Sequence, residues 1–316
     1  MTSLRTRALR ARMAERIWLT DGGLETTLIF HDGVELPHFA SFPLLADAAG
    51  RSRLHAYFRR YLAQARRHGA GFVLDTVTWR SGAGWGGIIG LSPDEIDRVN
   101  RDAVVFARDL AASADAAPAG ILVNGVVGPH GDAYAPDRFL TVAEAEEAHG
   151  RQVRTLAAAG VDLVTATTIA SAAEVIGIAR AALMADVPVV VSFTVETDGR
   201  LVTGQPLGEA IAETEAATGG WVAWYGVNCA HPDHFRPVLA GDWTERIGMV
   251  RANASRKSHA ELDAATELDA GDPAELAGDY RALMALLPGL RVLGGCCGTD
   301  LSHVGAIGQR CVHAAA

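Results

Sequence analysis

Three cysteines stand at positions where a single metal ion could bind all of them. Cys229 follows the apolar segment 222–228, and Cys296 and Cys297 follow the apolar segment 291–293 and two glycines. Adjacent cysteines cannot form a disulfide with each other without strain, whereas two neighbouring thiolates and a third can bind one tetrahedral ion. Thiolate ligands select Zn²⁺, so the pattern predicts a zinc site.

A site with three thiolate ligands leaves one coordination position open, which is typical of catalytic zinc. Zn²⁺ with three thiolates carries a single net negative charge, so it generates hydroxide poorly but can hold a further thiolate that stays nucleophilic. An unperturbed thiol has a pKa of about 8.5 and is mostly protonated at neutral pH. The three cysteines therefore predict thiol alkylation.

The elements that must position these cysteines alternate along the chain. Segments with the character of strands lie at 17–20, 72–77, 121–127, 163–167, 189–193, 222–228, 247–250 and 291–293. Helices between them begin at capping signals such as Thr141 followed by Glu144, and Ser171 has the same spacing to a glutamate. Strands that are apolar at consecutive positions are buried on both faces. We predict an α/β fold, a (β/α)8 TIM barrel; a doubly wound sheet shares the same local signals.

The barrel is predicted as a single domain over residues 17–316, preceded by an N-terminal helix or tail at 1–16. The polar, irregular segment 255–272 is predicted as a long loop after the seventh strand. Barrel enzymes carry their chemistry on the loops that follow the C-terminal ends of the strands. One strand separates the sixth from the eighth, so the three sulfurs are expected to converge above the barrel.

Composition limits the partners of the chain. There are 28 lysines and arginines against 37 aspartates and glutamates, a net charge of −9, and no basic block, which argues against nucleic acid and anionic membranes. No apolar run approaches the roughly 20 residues of a membrane span. Four cysteines in 316 residues do not make a disulfide framework, so we expect a cytoplasmic protein.

Five segments resemble the homocysteine S-methyltransferase family, in chain order. They are Leu-Thr-Asp-Gly-Gly at 19–23, Gly-Pro at 128–129, Val-Ser-Phe-Thr at 191–194, Gly-Val-Asn-Cys at 226–229 and Gly-Gly-Cys-Cys-Gly-Thr at 294–299. The resemblance implies a barrel in which Cys229, Cys296 and Cys297 bind zinc and the sulfur of homocysteine takes the fourth position. It further implies that a methyl group on a sulfonium or ammonium donor is displaced in line, giving methionine.

The same resemblance assigns a substrate pocket. Asp21 would help to hold the substrate ammonium, and the amides near Gly22 and Leu24 would receive its carboxylate; without the resemblance, residues 21–23 could equally form a turn. The predicted substrate-binding residues are Asp21, Gly22, Gly23, Leu24, Glu25, Thr167, Thr168, Asn228 and Trp79. The length resembles that of members that use S-methylmethionine or S-adenosylmethionine, because folate-using members carry further domains and betaine-using members carry a C-terminal arm.

Two positions depart from the family pattern. Thr167 stands where the fourth strand usually ends in the glutamate that pairs with the amino-acid ammonium, and Val77 replaces an asparagine. Losing such a charge-assisted hydrogen bond lowers affinity about ten- to a hundredfold. Glu25 could compensate from the loop after the first strand, or it could face solvent. An acceptor thiol without the α-amino acid end is the alternative.

The remaining candidates have less specific signals. His231 and His234 could be fourth ligands in the absence of substrate, or could cap a helix or line the pocket. Trp79 and Trp85 could form a cation-π cage for a sulfonium group, and Cys311 is interpreted as structural. The alternatives to homocysteine methylation are a zinc-dependent demethylase with another acceptor and a non-catalytic zinc or thiol-binding barrel. The expected partners are the acceptor thiol and the methyl donor; a homo-oligomer stays open.

Overall fold

Eight parallel strands form a closed barrel in the computed structural model, which describes residues 3–113 and 120–312. The strands follow chain order around the barrel, and the last pairs with the first. They are β1 Trp18–Leu19, β2 Gly71–Asp75, β3 Ile121–Val127, β4 Leu163–Ile169, β5 Val189–Phe193, β6 Tyr225–Asn228, β7 Ile247–Ala252 and β8 Val292–Gly295. The predicted (β/α)8 fold is confirmed, and an open, doubly wound sheet is excluded.

Helices alternate with the strands, and the long ones cover the outside of the barrel. They are α1 Leu4–Ala14, α2 Leu24–Thr26, α3 Ala48–His68, α4 Ala83–Ile89, α5 Pro93–Ser113, α6 Val142–Ala159, α7 Ala172–Met184, α8 Leu207–Thr218, α9 Pro232–Phe235, α10 His259–Asp263, α11 Pro273–Leu286 and α12 Leu301–Ile307. The 3₁₀ turns are Pro37–Phe39, Phe42–Ala46, Arg236–Val238 and Asp242–Arg246, and the π turns are Thr27–His31 and Gly308–Val312. Within residues 3–113 and 120–312, none of these helices has both the length and the apolar character that crossing a membrane requires.

The predicted helix starts at Thr141 and Ser171 are confirmed, with one difference between them. Thr141 forms a full capping box at α6 with the glutamate three residues later. At α7 the Ser171 hydroxyl accepts a hydrogen bond from the Glu174 amide, but the Glu174 carboxylate accepts from the His130 amide and contacts His149. This carboxylate therefore joins α7 to α6 and to the loop after β3.

β6 begins at Tyr225, three residues later than predicted, and most other differences between the observed and predicted strands are at their ends. β2 ends at Asp75, two residues early, because Thr76 and Thr78 pair through their hydroxyls at 2.7 Å and Thr78 donates to the Val126 carbonyl. β8 instead extends through both glycines to Gly295. The chain therefore leaves the sheet at these two points with polar or sulfur-bearing residues over the C-terminal end of the barrel.

The prediction of one long loop at 255–272 is only partly right. The helix α10 lies within it, and Ser258 and Glu261 form a capping box at its start. Its five residues are too few for a helical period to show in the sequence. The helix brings His259 to the cysteines, because His259 Nε2 lies 2.7 Å from the carbonyl oxygen of Cys229.

The helix α1 closes the N-terminal end of the barrel. Its Leu9 and Met13 are buried with Trp18 of β1, in a cluster separate from the main core. Arg10 Nε donates a hydrogen bond of 2.7 Å to the carbonyl of Ala223, just before β6. Of the segment 1–16, positions 1 and 2 lie outside the described residues.

Candidate metal and substrate site

Three sulfur atoms meet above the C-terminal end of the barrel. Cys229 directly follows β6, and Cys296 and Cys297 directly follow β8. The Sγ atoms of Cys229 and Cys297 are 3.5 Å apart although 68 positions separate the two residues in the sequence, and all three sulfurs lie within 4.8 Å of one another. The convergence expected from the strand order is therefore observed.

Strand β7 fixes this convergence, because it lies between β6 and β8. The amide of Cys229 donates to the carbonyl of Arg251 at 3.1 Å, and the amide of Cys296 donates to the carbonyl of Ala252 at 2.8 Å. Two adjacent residues of one strand thus anchor both cysteine segments. The sulfurs are held by main-chain hydrogen bonds rather than by flexible loops.

Two residues at the site adopt left-handed backbone conformations that are unfavourable for residues other than glycine. The φ angle is 57° at Cys229 and 66° at Thr168. Asn228 supports Thr168, because its Oδ1 accepts from the Thr168 amide at 2.9 Å and its Nδ2 donates to the Thr168 hydroxyl at 2.7 Å. Such conformations cluster at functional sites, and here Asn228 positions β4 against the cysteines.

His259 and Tyr134 lie beside Cys229, and neither residue was predicted from the sequence to belong to the site. His259 contacts the Cys229 carbonyl, and the ring of Tyr134 packs against the His259 ring, with centroids 3.9 Å apart and an interplanar angle of 38°. Burial, and after it the charges of the cysteines, raise the pKa of Tyr134, so the phenol stays neutral. Tyr134 stands in an irregular segment and His259 begins the five-residue helix α10, so no periodic pattern marked either of them.

The donor set fits a zinc ion. Three thiolates about 2.3 Å from one tetrahedral ion lie roughly 3.8 Å from one another. The observed 3.5 Å for one pair, with 4.8 Å as the upper bound for all pairs, agrees with that spacing. Hydrogen bonds from Cys229 and Cys297, and then the charge of Arg251, lower the pKa of Cys296. One sulfur is therefore already disposed to be a thiolate.

A cavity of about 230 Å³ opens onto the sulfurs. Its walls come from the loops that follow β1, β2, β3, β4, β6, β7 and β8. The predicted metal and substrate residues that line it are Asp21, Gly22, Gly23, Leu24, Glu25, Trp79, Thr167, Thr168, Asn228, Cys229, Cys296 and Cys297. The structure thus brings the whole predicted set around one cavity.

A buried charge network lies at the base of the cavity. Arg251 contacts Asp21 Oδ1 at 2.7 Å and also pairs with Asp75, which accepts a hydrogen bond of 2.7 Å from Asn124 Nδ2. The Tyr57 hydroxyl donates to Asp21 Oδ2 at 3.2 Å. Burial, which Arg251 only partly offsets, raises the pKa of Asp21 to about 7. The aspartate predicted to bind the substrate ammonium is therefore already paired within the chain.

Gly23 allows the loop after β1 to touch the cysteine turn. A Cβ atom at this position would lie 2.3 Å from Thr26 Oγ1 and 2.7 Å from the carbonyl oxygen of Cys296. The Gly23 amide donates to the Thr299 carbonyl at 2.9 Å. Only glycine fits at this position. Its amide forms a hydrogen bond that joins the loop after β1 to the segment after β8.

Sequence comparison identifies the family of the chain. The family model described as homocysteine S-methyltransferase matches residues 18–311. The chain belongs to the homocysteine S-methyltransferase family. No curated protein matches it at a significant level.

Solved structures of the homocysteine methyltransferase MmuM from Escherichia coli have the same fold. The oxidized form superposes with a TM-score of 0.69 at 23% identity, over 98% of this chain and 100% of that chain. The metallated form gives a TM-score of 0.70 at 22% identity, over 97% and 99%. The family predicted from the five segments is confirmed, and this homocysteine S-methyltransferase family member is a methyltransferase.

The methyltransferase has uncharged side chains at the two cavity positions, 167 and 77, where the family resemblance predicts groups that recognise the amino-acid substrate. Thr167 is 8% exposed, and its Oγ1 has no hydrogen-bond partner in the described part of the chain. Val77 presents a hydrocarbon side chain to the same cavity. Any ammonium group bound in this family member must find its carboxylate elsewhere.

Glu25 of this family member faces the cavity rather than solvent. Its Oε1 accepts a hydrogen bond of 2.8 Å from the Ser41 hydroxyl. Burial raises the pKa of Glu25, and the nearby charge of Cys296 adds to the effect. The alternative in which Glu25 faces solvent does not hold. The Glu25 carboxylate is instead close enough to the cysteine cluster to interact with it electrostatically.

Trp79 and Trp85 of the methyltransferase lie together, as the predicted aromatic cage requires, but they enclose Arg80. The Arg80 Cζ atom is 3.9 Å from the Trp79 ring centroid and 3.7 Å from that of Trp85. Trp79 Nε1 also donates to the Thr167 carbonyl at 3.3 Å. The ring faces that were expected to cover a sulfonium instead cover the Arg80 guanidinium, a contact that was not predicted from the sequence.

His231 and His234 are not ligands of the cysteine cluster. His231 is the N-cap of α9, and its Nδ1 accepts from the Asp233 amide at 3.2 Å. His234 Nε2 lies 2.9 Å from the Arg256 carbonyl, and neither histidine lines the cavity. The fourth-ligand alternative is wrong, and the capping alternative is confirmed for His231. Cys311 is fully buried outside the cavity.

Proposed function

We propose that the chain transfers a methyl group from a sulfonium donor to the thiol of homocysteine, and that Cys229, Cys296 and Cys297 hold a zinc ion for this reaction. The convergence of three sulfurs on one cavity carries the proposal. A zinc ion bound there would supply the Lewis acidity that keeps the acceptor thiol ionised at neutral pH. In the reaction one carbon–sulfur bond of the donor breaks, the acceptor sulfur gains the methyl group, and the donor leaves as a neutral thioether while the thiol proton passes to solvent.

The size of the cavity favours S-methylmethionine over S-adenosylmethionine as the donor. Its volume of about 230 Å³ is below the range of about 300 to 1,000 Å³ that is usual for drug-sized ligands. Acceptor and donor must share this space, and an adenosyl group adds a ribose and a purine. A donor of amino-acid size therefore fits the cavity better.

The side chains of the cavity contribute alignment and exclusion of water. Leu24, Val77 and Val126 line the space beside the cysteines with hydrocarbon surface. Removing water from a charged sulfur and a sulfonium strengthens their interaction, and holding them in line supplies much of the rate. No general base is needed beyond the group that accepts the thiol proton.

We expect Glu25→Gln to raise the KM for homocysteine about 10- to 100-fold, because it removes a charge-assisted hydrogen bond to the substrate ammonium. Asp21 and Asp75 are paired with Arg251 and Thr167 carries no charge, whereas Glu25 lines the cavity near Cys296, so we assign Glu25 the role of the missing glutamate. Steady-state kinetics with varied homocysteine measure the change.

The matched control for this variant is 4-mercaptobutyrate, which is homocysteine without its amino group. Its KM should be the same in the wild-type protein and in Glu25→Gln. Equal changes for both acceptors, or no change for homocysteine, would show that Glu25 does not bind the ammonium.

The proposed function is tested by incubating the zinc-loaded protein with homocysteine and S-methylmethionine and measuring methionine. Each turnover should give two methionine molecules, one from each substrate, whereas S-adenosylmethionine would give methionine and S-adenosylhomocysteine. A panel of other thiols tests the alternative acceptor that the uncharged Thr167 favours. A zinc-loaded protein that methylates no thiol with any of these donors would contradict the proposal.

A further inference from the structure

The loop after β2 places a guanidinium between two indole rings. Arg80 is 9% exposed, lines the cavity and has Trp79 and Trp85 within 4 Å of its Cζ atom, at 3.9 and 3.7 Å. Contacts of this kind stabilise a cation and fix its plane, while leaving its N–H groups at the edge. The two indole rings thus hold the Arg80 guanidinium in a fixed orientation at the wall of the cavity.

The N–H groups of Arg80 lack strong partners. Nη1 donates only a long hydrogen bond of 3.4 Å to the Gly131 carbonyl, and the buried Nε has no acceptor among the described residues. Arg251, the other arginine of the cavity, contacts two carboxylates. Over residues 3–113 and 120–312, no carboxylate lies within ion-pair distance of Arg80, and the strongest attraction comes from the more distant Asp132.

A buried guanidinium without a directly paired carboxylate is unfavourable, so the site favours an anion bound from outside the chain. Burial lowers the pKa of Arg80 to about 10, which leaves the group charged at neutral pH. The planar fork of arginine matches a carboxylate with two parallel hydrogen bonds. A substrate carboxylate is therefore the group that the site would take.

The position of Arg80 indicates which substrate carries that carboxylate. β2 lies opposite β6 in the eight-stranded ring, so Arg80 stands across the cavity from Cys229. In an in-line transfer the leaving sulfur lies on the far side of the methyl carbon from the acceptor sulfur. The donor, rather than the acceptor, therefore reaches toward the loop after β2.

We infer that Arg80 binds the carboxylate of the methyl donor, so that the donor class is a sulfonium compound bearing a carboxylate. This inference rests on the proposed methyl transfer. Arg80 and a sulfonium are both cations in a partly desolvated cavity, and a donor without a carboxylate would be repelled. The residue thus selects by attracting one class of donor and opposing another.

A matched pair of donors tests the inference. S-methylmethionine and (3-aminopropyl)dimethylsulfonium differ only in the carboxylate, and their binding to the zinc-loaded protein is measured by calorimetry without an acceptor thiol. We expect Arg80→Met to weaken binding of S-methylmethionine about 10- to 100-fold and to tighten binding of the other compound, because the repelling charge is removed. Equal effects on the two compounds, or none, would overturn the assignment.

A matched pair of acceptor thiols tests whether Arg80 binds the carboxylate of the donor or that of the acceptor. Homocysteine and 3-aminopropanethiol also differ only in this group, and the ratio of their KM values should be the same in the wild-type protein and in Arg80→Met. A change in that ratio, with unchanged discrimination between the donors, would assign Arg80 to the acceptor and overturn the inference.

The charge-retaining variant Arg80→Lys controls for folding. It keeps a cation between the indoles but not the planar fork, so it should lose about 10-fold in affinity for S-methylmethionine and keep its zinc content and melting temperature. Recognition of the donor carboxylate by the guanidinium fork would be excluded by two results together: wild-type affinity for S-methylmethionine in Arg80→Lys, and an unchanged preference between the two sulfonium compounds in Arg80→Met. Binding is measured without turnover, so the inference and the proposed function fail separately. If the preference for the carboxylate-bearing donor depends on Arg80 but no thiol is methylated, only the proposed function is contradicted. If a thiol is methylated but the donor preference does not depend on Arg80, only this inference is contradicted.

Discussion

Cys297→Ser should lose most of its zinc and nearly all methyl transfer. A hydroxyl is a poor ligand for zinc at neutral pH, and two thiolates cannot complete the site that three sulfurs within 4.8 Å of one another would form. Loss of a residue that merely orients a ligand costs about 10- to 100-fold in metal affinity, so loss of a ligand should cost more. The measurement is zinc per chain by atomic absorption, after dialysis against a competing chelator, with turnover assayed on the same sample.

Cys311→Ser is the matched control for this substitution. It makes the same change at a fully buried cysteine that does not line the cavity, so zinc content should match that of the wild-type protein. A Cys297→Ser protein that keeps stoichiometric zinc, or that keeps wild-type turnover, would contradict the proposed role of the three cysteines.

Arg251→Met should lower the free energy of unfolding by about 3 to 5 kcal/mol, the cost of removing one partner from a buried ion pair. Arg251 is buried against both Asp21 and Asp75, and the substitution leaves two carboxylates close together without a counter-ion. Urea unfolding followed by circular dichroism measures the change. Adding Asp75→Asn to Arg251→Met should restore part of the stability, because only one buried carboxylate then remains unpaired.

Arg256→Met is the control for the loss of an arginine in general. Arg256 also contacts two carboxylates, Asp233 and Glu275, but its side chain is 53% exposed. Exposed pairs contribute about 0 to 1 kcal/mol, so this variant should unfold near the wild-type midpoint. Equal losses in the two variants would show that burial of the Arg251 network does not determine its contribution.

The barrel and the meeting of the cysteines could be predicted from the sequence. Strands buried on both faces appear as short apolar runs, and parallel strands in chain order must bring their C-terminal ends to one face. Cys229 and Cys296 follow such runs directly, so their convergence needs only the strand order. The helix starts at Thr141 and Ser171 are equally local, because each cap is formed within one turn.

The electrostatics of the cavity could not be predicted in the same way. Arg251 and Asp21 are 230 positions apart, and nothing in the sequence near either residue indicates the pairing. Glu25 could equally have faced solvent, because its direction depends on the hydrogen bond from Ser41 across the loop. Arg80 follows Trp79, which was predicted as a possible cage residue. The enclosure of Arg80 also depends on Trp85, which lies in the following helix α4.

The plug formed by α1 under the barrel constrains the kinetics of the enzyme. Leu9, Met13 and Trp18 fill the lower end, so in the described chain the ligands enter and leave over the loops at the upper end. The cysteine cluster lies at that same upper end, so both substrates of the proposed reaction would approach it over these loops. Substrates and products would therefore share one opening, and product-inhibition patterns would report the order in which they pass.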